Sequence, residues 1–285
     1  MEDSNRKRSP GAGIFDGSAF LAKHSFLNDV KHTSNSLEDL KKYETSEYTN
    51  IRTPKGRKPM ERNTLSVGER SISIFSPVCC EEFPMVYMHS SSDAAVNIAG
   101  LLEDMKVILV AVDGVNWDSE LSPWPAPKAF RGGNDFSGGA DAYLKELIED
   151  IVPNVEALLG FLPRYRAIAG YSLAGLFAIY VLYRTDIFSR AASVSGSLWY
   201  DGFLDFMKGN RPLRLPERVY FSLGDHEKIT RNQRLASVED CTAEAEKLVQ
   251  SYGDGVKTVF ELNSGNHFVN VSERVAKGLR WIKAF

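Results

Sequence analysis

Residues 164–184, RYRAIAGYSLAGLFAIYVLYR, decide the fold. The first half is a short run of apolar and small residues, as expected for a strand buried on both faces. The second half has the apolar density of a buried helix. Between them lies Gly170-Tyr171-Ser172-Leu173-Ala174-Gly175, a serine with small residues two places before and two places after it. A strand that passes directly into a helix needs a tight turn whose flanking positions are nearly free of side chains, and such a turn lifts the serine oxygen above the sheet. The Leu173 N–H, at the helix start, then faces the place where an oxyanion would develop. The string is GxSxA rather than GxSxG, and alanine is the least demanding replacement there. The alternative reading of Ser172 is an ordinary helix N-cap.

The same alternation extends outward on both sides. Strands are predicted at 71–77, 84–89, 106–113, 191–196, 218–224 and 256–262, and helices at about 92–104, 139–160, 173–184, 234–252 and 268–283. Strands alternating with helices imply a mostly parallel sheet covered on both faces. The strand at 71–77 is expected near one edge and antiparallel. Residues 63–285 therefore read as one α/β domain. Residues 1–62 read as an N-terminal extension of unassigned function, with a candidate helix over 35–48 and a linker or exposed loop at 50–63 that carries two prolines.

Composition narrows the function classes. The net charge of −3 gives no overall pull toward nucleic acid. The first 62 residues hold twelve basic and nine acidic side chains, which leaves a net of −6 on the remainder. No apolar run approaches the ~18 residues of a membrane span, and the N-terminus lacks the apolar segment of a secretory signal. Cys79, Cys80 and Cys241 fit neither a disulfide framework nor a metal-ligand spacing. Reduced thiols, a cytoplasmic location and no metal or organic cofactor are expected.

A serine hydroxyl needs a base. In strand–turn–helix serine hydrolases the chain order is serine, acid, histidine. His267 fits that order, in Asn263-Ser264-Gly265-Asn266-His267-Phe268 after the last strand. The acid belongs after the strand at 218–224, where Gly224-Asp225-His226-Glu227 offers two carboxylates. Glu227 is favoured because it reaches further past the strand end, with Asp225 as a turn cap. A Ser–His pair without an acid is also open. The second oxyanion donor is expected from the loop after an early strand, at the backbone of Ser90 or Ser91. His89 is either a further polar group at the site or a histidine packed at a strand end. Ligands bind beyond the carboxyl ends of the strands. The loop over 113–140 therefore offers Trp117, Trp124, Phe130 and Arg131 as substrate contacts, with Trp199 and Tyr171 beside the nucleophile.

With these residues in place, the chain resembles the esterase-D-like branch of the α/β-hydrolases, and within it the trilactone hydrolases that open enterobactin-type siderophores. The resemblance runs over 64–285. It is carried by the elbow and its helix, by SGSLWYDG (195–202), YFSLGDHEKITRN (220–232) and NSGNHF (263–268), and by SPWPAPKAF with GGADAYLKELIEDIVP in 122–153. The early loop reads YMHSSSD where the family shows YLLDG. The resemblance implies a serine esterase working through an acyl-enzyme on a small-molecule ester, a siderophore trilactone or related aryl ester. Alternatives are a general carboxylesterase or carbohydrate esterase, and a catalytically weak hydrolase scaffold used for binding.

Overall fold

The computed structural model describes residues 60–78, 82–129 and 133–284. The candidate helix at 35–48, Cys79, Cys80, Phe130 and Arg131 lie outside the described residues.

Strands β1 (Glu61–Val67), β2 (Arg70–Ser76), β3 (Met85–His89) and β4 (Ile108–Asp113) form the first half of the sheet. A two-residue pair, β5 (Pro125–Ala126) and β6 (Phe136–Ser137), sits in the long loop that follows. Strands β7 (Arg166–Tyr171), β8 (Arg190–Val194), β9 (Arg218–Gly224) and β10 (Lys257–Asn263) complete the sheet. The eight-stranded order is β1-β2-β4-β3-β7-β8-β9-β10. The β1/β2 and β2/β4 pairs are antiparallel, and β4, β3, β7, β8, β9 and β10 run parallel. The expected strand at 71–77 is thus antiparallel and near one edge, second in the order. β1 holds the edge and starts two residues before the expected start of the domain, with Leu65 as its only buried side chain.

Helices cover both faces, since side chains alternate across a strand. Ile74, Tyr87, Val110, Ile168 and Phe221 point to one face and pack with α3 (Ala140–Glu146), α4 (Val152–Leu159), α5 (Leu173–Tyr180) and α8 (Val238–Gln250). Phe75, Val86, Leu109, Ala169 and Tyr220 point to the other and pack with α1 (Ser92–Leu101) and α9 (Val271–Lys283). Short helices α2 (Trp117–Glu120), α6 (Phe203–Gly209) and α7 (Gln233–Ala236) line the carboxyl end of the sheet. The predicted helix over 139–160 is α3 and α4 joined by a π-helical turn at Leu147–Ile151. Pro153 has no N–H to give Glu149, and the turn before it widens. Among the described residues no helix is long and apolar enough to cross a membrane.

Candidate active site

β7 passes into α5 with one residue between them, Ser172, whose φ of 57° and ψ of −122° lie outside the ordinary wells. Strain of this kind persists only where the surroundings over-determine it. Here three hydrogen bonds fix the turn. Ser172 N–H donates to Val194 O (3.0 Å), and Ser172 O accepts from Gly175 N–H (3.0 Å) and Ser197 N–H (3.0 Å). Gly170 is compulsory, because a Cβ there would stand 2.1 Å from Ala174 O. Ala174 is itself fully buried. As the first residue of α5, Leu173 has an N–H with no intrahelical acceptor.

His267 Nε2 lies 3.1 Å from Ser172 Oγ, and its Nδ1 lies 2.7 Å from Glu227 Oε2. Glu227 Oε1 takes three further donors: the Ser195 hydroxyl (2.6 Å), the Gly224 N–H (2.6 Å) and Arg274 Nη2 (2.8 Å). Arg274 also donates to the Ser195 hydroxyl and, through Nη1, to Asn266 O (3.2 Å). Burial alone would raise the Glu227 carboxyl. The hydrogen bonds from His267, Ser195, Gly224 and Arg274 outweigh it and hold the group down at about 2. An ionised carboxylate accepts only, so Nδ1 carries the imidazole proton and Nε2 is left with its lone pair toward Ser172.

Asp225 is placed differently. Its Oδ1 accepts the Gly265 N–H (2.9 Å), closing the turn that carries His267. The two turns touch closely, and a Cβ on Gly224 would stand 2.3 Å from Gly265 O. Tyr171 packs its ring 4.8 Å from the His267 ring and donates its hydroxyl to His267 O. It therefore clasps the histidine loop and lines neither cavity beside Ser172, which corrects the expectation of a substrate contact.

Two cavities flank Ser172. One, of about 150 Å³, is bordered by Trp117, Leu173 and Trp199 among others. The other, of about 160 Å³, is bordered by His267, Leu235 and Trp199 among others. Trp117 borders the first of these cavities and Trp199 both. Trp124 borders neither. Its indole N–H donates to Asp201 O (2.8 Å) and its ring packs with Tyr200 and Phe206, so it anchors the loop from inside. Arg131 belongs to the segment outside the described residues.

The early loop also departs from expectation. Ser90 N–H continues the sheet ladder to Val112 O (3.2 Å), so it is not free for an oxyanion. Ser91 caps α1 by accepting the Ala94 N–H (3.4 Å). Neither serine borders the cavities at Ser172, and the loop after β4 brings Trp117 and Asp118 there instead. His89 is packed, not a site group. Its Nε2 meets the Tyr143 hydroxyl at 2.8 Å and its ring lies against Phe177. Burial, with a smaller push from Arg70, lowers its pKa to about 3.

Ser195 and Arg274 escaped sequence reasoning. Arg274 left a signal, a cation within the apolar stripe Val271–Val275–Gly278–Ile282 of an amphipathic helix. Ser195 sits at a φ of 47° just past β8, a conformation that nothing in its residue type announces.

The family model described as "Putative esterase" matches residues 80–281. The uncharacterized protein YbbA of Bacillus subtilis (strain 168) is 27% identical over 155 residues, which span 51% of this chain and 62% of that protein. An IroE-like serine hydrolase from Shewanella oneidensis superposes with a TM-score of 0.66 at 18% identity, over 78% of this chain and 79% of that one. Siderophore hydrolase EstA from Aspergillus nidulans superposes with a TM-score of 0.63 at 17% identity, over 84% of this chain and 98% of that one. At these identities the structural likeness is one of fold. With the family model spanning most of the chain and the strand–serine–helix turn at its centre, this protein belongs to the "Putative esterase" family and has the α/β-hydrolase fold.

Proposed function

We propose that this protein is a serine esterase that cleaves small-molecule carboxylic esters through an acyl-enzyme on Ser172, in a catalytic domain spanning residues 63–285. The observation that carries this reading is the unbroken hydrogen-bonded chain Ser172–His267–Glu227, with Ser172 held in a strained turn between two open cavities. Ser172 Oγ attacks the ester carbonyl carbon while its proton moves to His267 Nε2. The Leu173 N–H faces the developing oxyanion. The carbon–oxygen bond to the alcohol then breaks, and the leaving oxygen takes the proton from His267. A water molecule repeats the sequence on the acyl-enzyme and releases the acid. Glu227 holds the imidazole in the required tautomer and stabilises its cation, and Asp225 serves the turn.

A siderophore trilactone is the substrate we put first, because EstA is named a siderophore hydrolase and the motifs around the elbow, acid and histidine resemble those of trilactone hydrolases. General aryl or carbohydrate esters are the alternatives within the same chemistry. The intact Ser172–His267 contact speaks against a binding scaffold without turnover. The test is hydrolysis of a panel holding enterobactin, aryl acetates and acetylated sugars, followed by chromatography, with Ser172→Ala as control. Turnover lost to background in Ser172→Ala supports the reading. Equal turnover in folded Ser172→Ala protein overturns it.

A further inference from the structure

The two cavities beside Ser172 differ in chemistry, and the mechanism tells them apart. Ser197 and Trp199 border both and form the wall they share. The leaving oxygen must receive its proton from His267 Nε2, so the alcohol part of the ester has to lie on the His267 side. His267 and Glu227 border the second cavity and not the first. Leu173, whose N–H faces the carbonyl oxygen, borders the first and not the second. The second cavity is therefore the alcohol compartment and the first the acyl compartment.

The alcohol compartment, about 160 Å³, is bordered by the apolar Leu235, Val238, Phe268 and Trp199, and beyond the candidate triad its polar groups are the hydroxyls of Thr230 and Ser197. An apolar cavity of ~150 Å³ accepts a benzene ring. One apolar side chain on its border is bare: Phe268 is 78% exposed. A bare apolar side chain on a cavity border continues its surface outward, as the rims of binding sites do. The acyl compartment carries Lys128, Asp118 and Asn134 on its border, among the apolar Trp117, Phe136 and Leu173. Contacts from the helix start at Asn232 back the wall and tie it to the loop at 127–129. Arg234 stacks over the Trp199 ring at 5.1 Å and its Nη1 donates to Pro127 O (2.7 Å), while Asn232 donates to Ala129 O (2.9 Å).

We infer that, among simple two-part esters, the site prefers one whose alcohol part is apolar and ring-sized, seated against Leu235, Val238 and Phe268, and whose acyl part is the more polar half. This rests on the esterase reading of Ser172. The experiment compares two acetates that share an acyl group, benzyl acetate and ethyl acetate, by pH-stat measurement of kcat/KM. The wild-type protein should favour the benzyl ester by on the order of tenfold or more, as a matching apolar pocket discriminates. Leu235→Trp, which fills the compartment, should bring that ratio close to one, and Thr230→Trp, at an exposed loop position, should lower it. Trp117→Ala, on the acyl side, should leave the ratio as it is. A ratio is insensitive to partial misfolding, which lowers both rates together. Equal rates for the two esters in the wild-type protein, or a ratio retained in Leu235→Trp, would overturn the inference while leaving the esterase reading intact. Absence of turnover on both esters, together with absence of fluorophosphonate label on Ser172, would remove the esterase reading and this inference with it.

Discussion

Replacing Arg274 by Met removes the cation behind the candidate triad, and the structure sets the scale of the effect. The Arg274 and Glu227 side chains are 3% and 4% exposed and 2.8 Å apart. Breaking a buried ion pair by removing one partner costs ~3–5 kcal/mol, because the other charge stays buried. Glu227 keeps donors from His267, Ser195 and Gly224, so the lower end applies, about 3 kcal/mol. Urea denaturation at pH 7 should show that loss as a lower midpoint at unchanged slope. Acid makes the same point through linkage. The Glu227 pKa is depressed, so its contribution is present above the ordinary carboxylate range and is lost as pH falls toward about 2. In Arg274→Met the carboxyl is held down less firmly, and acid unfolding begins at higher pH. A destabilisation below ~1 kcal/mol, the size of an exposed pair, would refute the claim that Arg274 neutralises a buried carboxylate.

Further expectations follow from the same geometry. Glu227→Gln should lower kcat by on the order of 10⁴-fold, because an amide can hold the wrong imidazole tautomer. Asp225→Asn should lower it far less, since an amide oxygen can still accept the Gly265 N–H, and kinetics on any accepted ester decides between the two acids. Gly170→Ala should destabilise the protein by about 3 kcal/mol or more, because the new methyl meets Ala174 O at 2.1 Å, and thermal denaturation reads this directly. His89 is held at about 3, below its ordinary 6.5, so the unfolded chain binds a proton there that the folded protein refuses. Stability therefore falls as pH drops between those values, by up to about 1.4 kcal/mol per pH unit. His89→Gln should flatten that slope in urea titrations between pH 6 and 4, and an unchanged slope would contradict the assignment.

What the sequence made legible follows from physical contrast. Strands β3, β4 and β7 are buried on both faces and read as continuous apolar runs, bounded by the helices that cover them. β1 did not stand out, because an edge strand with one buried residue, Leu65, has no apolar run to show. Chain order and a strand end pointed to Ser172, His267 and the Asp225/Glu227 pair. They did not say where side chains turn. Trp124 and Tyr171 have the composition of a binding wall and are spent on packing the loop and clasping His267. The Ser90 N–H is consumed by the ladder to Val112, a register fact that only the assembled sheet contains. Arg274 is separated from Glu227 by 47 residues, and long-range pairing of that kind leaves no local pattern.

The central claim is that Ser172 is an activated nucleophile. It is tested most directly by reacting the folded protein with a fluorophosphonate probe and mapping the label by peptide mass analysis. Stoichiometric label on Ser172, lost in His267→Ala, is the expected result. An unlabelled Ser172 in well-folded protein, or label that survives His267→Ala undiminished, would contradict it.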